Sequence, residues 1–237
     1  MTDWPKKIPV LTKEQKLISD DWMKYWHEIM PKKYGIFAKF NHSYVVKNAP
    51  KNFLKTLEIG CGDGEHLSFE KLTPLQRKNY IGVDIRKNMI AAFKKNCPDV
   101  KALLADCQKK LPFDDSSFDR VLAIHVLEHL PNLPIAIEEL HRVCKKNNSV
   151  LSVVLPCEGG FIYSLGRKFT SERIFKKRYK MSYKWHIQSE HINTIEEVFE
   201  ELRKYFVIQF SEYYPFKVKI LSINLVIGLT LVPKKNS

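Results

Sequence analysis

Leu57-Glu58-Ile59-Gly60-Cys61-Gly62-Asp63-Gly64 is the segment whose residue types most constrain chemistry. Three glycines at alternate positions, directly after an apolar run, permit a tight turn and let backbone N–H groups approach a ligand with no Cβ in the way. Two carboxylates end later apolar runs, Asp84 in Ile81-Gly82-Val83-Asp84 and Asp106 in Leu104-Ala105-Asp106-Cys107. A charged residue at the tip of a buried run needs a partner. Asp84 follows the glycines at about the separation that dinucleotide-binding units use for ribose hydroxyls. A purely structural turn is the alternative reading of the glycines.

His125 and His129 follow another apolar run, Arg120 to Ile124, with Glu128 between them. An imidazole titrates near neutral pH, so either could take a proton from a hydroxyl, and Glu128 is a weaker candidate. The plainer alternatives are packing for His125 and a helix cap for His129. His186 and His191 are five apart with Glu190 between. That is not the HExxH spacing of a zinc helix, and no metal is expected. His191 is the one that could face a substrate. Five cysteines include no CxxC pair, which argues against a disulfide framework or cysteine zinc site and for reduced thiols in a cytoplasm.

Phe161 to Lys184 holds eight Lys and Arg against the single Glu172, +7 of the chain's net +13. Aromatics are interleaved through it. Guanidinium groups pair with phosphate and aromatic faces stack on rings, so Arg167, Arg173, Lys177 and Tyr179 are candidate contacts to a phosphorylated, sugar-containing or lipid-linked molecule. A solvated amphipathic helix pair is the alternative.

The elements that must position these residues follow from period and punctuation. The hydrophobic fraction of 44% excludes wholesale disorder in the 237-residue chain. The N-terminal residues lack a signal-peptide core, and Ile220 to Val232 is too interrupted and short to span a bilayer. Short apolar runs at Leu54 to Ile59, Tyr80 to Val83, Val100 to Leu104, Arg120 to Ile124 and Val150 to Leu155 read as strands buried on both faces, with helical patterns between them. Lys13 to Met30 reads as an amphipathic helix, and Thr194-Ile195-Glu196-Glu197 has capping-box form. Phe206 to Tyr213 and Ser222 to Val232 are two β-type runs with no helix between, which predicts an antiparallel hairpin. The expected architecture is α/β, with a mostly parallel sheet, the terminal hairpin and a small helical cap. In such sheets ligands sit beyond the carboxyl ends of the strands.

From Lys51 to Leu155 the chain resembles the class I S-adenosylmethionine-dependent methyltransferases. The resemblance rests on the GxGxG spacing after Glu58, on Lys109 to Asp119 leading into the fourth strand, on Ala123-Ile124-His125-Val126-Leu127-Glu128-His129-Leu130, and on Leu140-His141-Arg142-Val143. It implies a Rossmann-like, doubly wound seven-stranded sheet and S-adenosylmethionine as cofactor, with S-adenosylhomocysteine as product. By that resemblance Gly60, Cys61, Gly62 and Gly64 line the methionine portion, with Glu58 near its amino group. Asp84 binds the ribose, Ile85 and Met89 flank the adenine, Asp106 and Cys107 meet its amino edge, and His125 lies beside the methyl group. The family's Pro-Gly-Gly turn is replaced by Lys146-Asn147-Asn148. The domain reading is a helical segment or lid over residues 1–50 and a methyltransferase domain over 51–237, with a basic aromatic cap at 159–193. Residues 151–233 are also similar to a bacterial branch associated with surface-glycan biosynthesis. The implied activity is O-methylation of a small, glycan-related or lipid-linked acceptor in the cytoplasm, with peripheral contact to the inner membrane face as an added expectation. An RNA methyltransferase and a non-catalytic cofactor-binding partner protein are the rivals.

Overall fold

The computed structural model describes residues 2–235, with the backbone alone described for 27–38. The chain opens on α1 (Lys13–Lys47), started by a reciprocal Thr12–Gln15 capping box, and then enters β1 (Thr56–Ile59). α2 (Pro74–Lys78), β2 (Tyr80–Asp84), α3 (Lys87–Asn96), β3 (Lys101–Leu104) and β4 (Arg120–Ile124) follow. Next come α4 (Leu133–Val143), β5 (Val150–Pro156), and three short helices, α5 (Phe161–Phe169), α6 (Ser171–Tyr179) and α7 (Lys184–Glu190). α8 (Ile195–Tyr205), β6 (Phe206–Tyr214) and β7 (Val226–Pro233) complete the fold.

The seven strands form one sheet in the order β3-β2-β1-β4-β5-β7-β6, parallel except for β7, which runs antiparallel to both its neighbours. This is the expected doubly wound sheet with a terminal hairpin. Apolar side chains of alternate strand positions face opposite layers. Leu57, Ile59, Val121, Ala123 and Val153 pack with α4 and α8, while Leu122, Val154, Tyr80 and Phe93 pack with the end of α1 and with α3.

Three local differences from the sequence reading have physical causes. The first helix continues past Met30 to Lys47 because its end has a docking site. The Tyr44 hydroxyl lies 2.8 Å from Thr230 Oγ1, and its ring lies over Gly228, where a Cβ would come within 2.5 Å. The second terminal run becomes a strand only at Val226, since buried Asn224 accepts from Phe216 N and donates to Val218 O and Ile220 O, holding the preceding residues in a turn. The Lys146-Asn147-Asn148 turn is made with Asn148 at φ 56°, a conformation asparagine tolerates better than most residues.

The cap is anchored on one side through α6 and the segment after it, while its basic residues on α6 stay exposed. Phe175 of α6 and Tyr183 are buried against Trp22 of α1, with the Trp22 and Phe175 rings edge to face at 5.2 Å. Beneath the sheet, the fully buried Arg120 pairs with Glu70 at 2.6 Å and donates to Val45 O at 2.9 Å, which fixes the end of α1. Among the described residues no helix is long and apolar enough to cross a membrane, and all five cysteines are buried and free.

Candidate active site

Strand order reverses between β1 and β4. Chain growth runs outward from β1 through β2 to β3, then crosses back to β4 and outward again to β5. Connections therefore diverge above the β1 and β4 carboxyl ends and leave a crevice there. Register brings the loops after these strands side by side, with Ile59 opposite Val83 on one side and Ala123 on the other.

The glycine loop forms one wall. Gly60 has φ 63°, and a Cβ there would lie 2.4 Å from Val126 Cγ2, so the close approach of the post-β1 and post-β4 loops needs glycine. Gly62 has φ 54°, and a Cβ on it would meet nothing within 4 Å, so its backbone faces open space. Asp84 is buried at the tip of β2, where its carboxylate accepts from Gly62 N at 3.1 Å and Arg86 N at 2.8 Å. Those bonds hold it rigidly at the crevice. Ile85 beside it is 60% exposed, an apolar surface at the strand edge, and Met89 is half-buried. Asp106 accepts from Gln108 N and Nε2 at 3.0 and 3.1 Å. Cys107 is buried, and burial pushes its thiol up to about 12, so it is not a thiolate. Glu58 lies on the α1 side of β1, takes the Tyr80 hydroxyl at 2.9 Å, and is pushed by burial up to about 8, which keeps it protonated at neutral pH.

The other wall is a chain of titratable groups beyond β4 and β5. His125 has φ 53°, a strained conformation for a side chain of its size, and places Nδ1 3.2 Å from Glu128 Oε1. Glu128 is buried; burial alone would raise its carboxyl, but the His125 hydrogen bond and the nearby His129 hold it down to about 2. His129 donates from Nδ1 to Glu190 O at 2.7 Å, which puts its ring proton on Nδ1 and leaves the Nε2 lone pair free, 3.9 Å from Glu128 Oε1. The His191 ring meets it edge to face at 4.8 Å, and His191 Nδ1 is bonded to Glu158. Arg167 of α5 reaches the same Glu158 at 3.3 Å.

The two adjoining imidazoles are driven in opposite directions. Burial lowers the His129 pKa, and the neighbouring His191 lowers it further. Burial is the largest single influence on His191 and disfavours its charge, but the hydrogen bond and charge of Glu158 together with the charges of Glu128 and Glu190 outweigh it and raise the pKa. A pair held apart in this way separates a neutral proton acceptor from a cation. The arrangement depends on tertiary contacts: Ile192 N and Asn193 N both donate to Glu128 O at 3.0 Å, and Asn193 Nδ2 donates to Leu127 O and Leu130 O.

Of the candidate acceptor contacts, only Arg167 joins this network. Arg173 and Lys177 are exposed on α6, and the Tyr179 hydroxyl donates to Asp21 of α1 at 2.6 Å. A surface cavity of about 990 Å³ is lined by Phe199, Arg203, Val207 and Ile220 among others and shares no residue with either wall. Among the described residues no group of three or more His, Cys, Asp or Glu is placed to hold a metal ion.

Residues 57–151 match the family model described as a methyltransferase domain. This segment is similar to methyltransferase domains. S-adenosylmethionine is the cofactor of such a domain, and the crevice fits it: an open glycine backbone, a fixed carboxylate for ribose hydroxyls and an exposed apolar edge for the adenine. Similarities to individual proteins cover only part of the chain or are low in identity. The chain is 37% identical over 105 residues to an uncharacterised protein of Methanocaldococcus jannaschii, covering 44% of this chain and 42% of that one. It is 26% identical over 135 residues to a demethylmenaquinone methyltransferase of Staphylococcus aureus, covering 56% and 51%. The chain thus spans about half the length of the curated relatives it matches. In fold it is similar to a Thermotoga maritima structure described as a possible histamine N-methyltransferase, at TM-score 0.62 and 20% identity, covering 93% and 99%. The [4+2]-cyclase SpnF shares the fold equally, at TM-score 0.64 and 16% identity, covering 97% and 98%. Fold alone therefore does not set the reaction.

Sequence reasoning placed three histidines near the site but missed what ties them together. Glu158 reads in sequence only as part of a Pro-Cys-Glu-Gly-Gly turn, and Glu190 as a spacer between histidines. Their roles come from contacts across 33 and 61 residues, which no local pattern carries.

Proposed function

We propose that the protein transfers the methyl group of S-adenosylmethionine to a hydroxyl of a small, glycan-related or lipid-linked acceptor. The observation that carries the oxygen assignment is the opposed pair of histidines at the carboxyl ends of β4 and β5. A hydroxyl must lose a proton on methylation, and a neutral imidazole with a fixed tautomer is suited to take it.

Bound S-adenosylmethionine supplies an electrophilic methyl group on a sulfonium. In this reading Gly60, Cys61, Gly62 and Gly64 cradle its methionine portion, Asp84 orients the ribose, and Ile85, Met89, Asp106 and Cys107 surround the adenine. Glu58, bonded to Tyr80, braces the loop from below. Holding the acceptor oxygen in line supplies much of the rate. His129 Nε2 then takes the acceptor proton, while Glu128 stabilises the imidazolium that forms. His191, charged beside Glu158, and Arg167 orient anionic or hydroxyl groups of the acceptor. The basic cap favours a phosphate- or sugar-bearing molecule.

The test is transfer of labelled methyl from S-adenosylmethionine to panels of hydroxylated sugars, lipid-linked glycans and RNA. Label in ether linkage on a hydroxyl acceptor is expected. His129→Gln is expected to lower kcat by about 100-fold or more while leaving cofactor affinity unchanged. Label confined to nitrogen overturns the oxygen assignment, and label confined to RNA overturns the acceptor class.

A further inference from the structure

The cap helix α5 turns two opposite faces to two different environments. Arg167 points inward to Glu158, and Gly166 packs toward Leu225 at the base of the β6–β7 connection. Phe161, Leu165 and Phe169, spaced four apart, form a single stripe on the outside and are 69%, 40% and 65% exposed. Soluble surfaces scatter such side chains singly; three large ones on one helical stripe need a partner.

The stripe does not end at the helix. α5 packs against the turn Leu221–Ile223, and a Cβ on Gly160 would lie 2.9 Å from Leu221 O, so the β6–β7 connection adjoins the helix. That connection reads Phe216-Lys217-Val218-Lys219-Ile220, with every one of the five exposed; Phe216, Val218 and Ile220 are 57%, 46% and 48% exposed. Apolar side chains and lysines thus protrude together from two neighbouring segments. Exposed basic residues follow on the neighbouring cap, with Lys168 on α5, Arg173 and Lys177 on α6, and Lys180 at its C-cap. Glu172, the only acid between Phe161 and Lys184, is paired with Lys176 at 2.6 Å. No acid lies between Pro215 and Leu225.

We propose that the outer face of α5 and the 216–220 loop together dock the protein on an anionic lipid surface. Protruding Phe, Leu and Ile side chains insert at the headgroup boundary, and the surrounding lysines meet anionic headgroups. Charge decides between lipid and a second copy of the chain. Two faces rimmed by lysine on a chain of net +13 repel one another, whereas a negative surface attracts them. Docking on this face sets the bilayer against the helix whose opposite side carries Arg167 to Glu158, the partner of His191, so an acceptor carried in lipid is held one helix away from the histidine pair. That consequence for the acceptor rests on the methyl-transfer reading; the docking itself does not.

Co-sedimentation of the full chain with phosphatidylcholine vesicles, with and without phosphatidylglycerol, tests the docking with no need for an acceptor. Binding to the phosphatidylglycerol vesicles that weakens as salt is raised is the expected result. Phe161→Ser with Phe169→Ser, and separately Lys217→Glu with Lys219→Glu, should each lower the partition coefficient by about tenfold or more. Both variants change exposed side chains outside the crevice, and unchanged S-adenosylmethionine affinity by calorimetry certifies their fold. The proposal is overturned if the wild-type chain ignores anionic vesicles, binds neutral ones equally well, or is matched by both variants. A concentration-dependent dimer that the phenylalanine variants dissolve would likewise overturn it, by assigning the face to a second copy.

Discussion

Replacing Glu158 by Gln tests the electrostatic argument for the acceptor side without any knowledge of the acceptor. The substitution keeps size and hydrogen-bonding capacity but removes the charge that raises His191. Breaking a fully buried ion pair costs about 3–5 kcal/mol, and an exposed one at most about 1 kcal/mol. The His191 and Glu158 side chains are 17% and 22% exposed, between those limits, and His191 can shed its proton, which caps the penalty. We expect a loss of about 2 kcal/mol at slightly acid pH, near a 1 M drop in urea midpoint. A histidine whose folded pKa lies above its unfolded value contributes stability that is complete below that unfolded value, 6.5, and is lost as pH rises through the folded one. The gap between wild type and variant should therefore be widest at about pH 5.5 and shrink by about pH 9. What persists there is the contact of Glu158 with Arg167, 22% and 27% exposed, worth at most about 1 kcal/mol. Urea denaturation at several pH values reads the gap directly. A difference flat with pH, or one that grows toward alkaline pH, refutes the assignment of His191 as the charged member of the pair.

Asp84→Ala should weaken S-adenosylmethionine and S-adenosylhomocysteine binding by about 100-fold or more, from two charge-assisted ribose bonds at about 1.5–3 kcal/mol each. Calorimetry on the folded variant checks this, and unchanged affinity sinks the ribose role. Gly60→Ala sets a methyl group 2.4 Å from Val126 Cγ2 at φ 63°, so a stability loss of about 1–3 kcal/mol is expected in thermal or urea unfolding. Glu70→Ala leaves the fully buried Arg120 uncompensated and should cost about 3–5 kcal/mol. Burial raises the Glu70 carboxyl, but His66 and Arg120 outweigh it and lower its pKa. Its contribution is therefore present above the unfolded value of 4.5 and fades as pH falls, so an undiminished gap in strong acid would contradict it.

The frame and the glycine-loop wall are legible in the sequence alone. β1 to its glycine loop, the Asp84 and Asp106 tips and the terminal hairpin are legible because each is a local signal: a buried apolar run, a break in it, a charged residue at its end. Parallel strands buried on both faces must be continuously apolar, so polar residues at their tips stand out in one dimension. Boundaries were harder where distant contacts act. α1 extends to Lys47 because Tyr44 meets Gly228 and Thr230, and Asn224 delays β7 because it satisfies three backbone groups of the preceding turn. The histidine wall rests on contacts that no local pattern carries. Which histidine is neutral and which is charged depends on burial and on Glu128, Glu158 and Glu190, partners brought together from β4, β5 and α7. The energies that set a proton's position fall off with distance in space, and the chain orders residues only along its length. The lipid-facing stripe joins α5 to the 216–220 loop for the same reason, across a gap of about fifty residues that the fold closes.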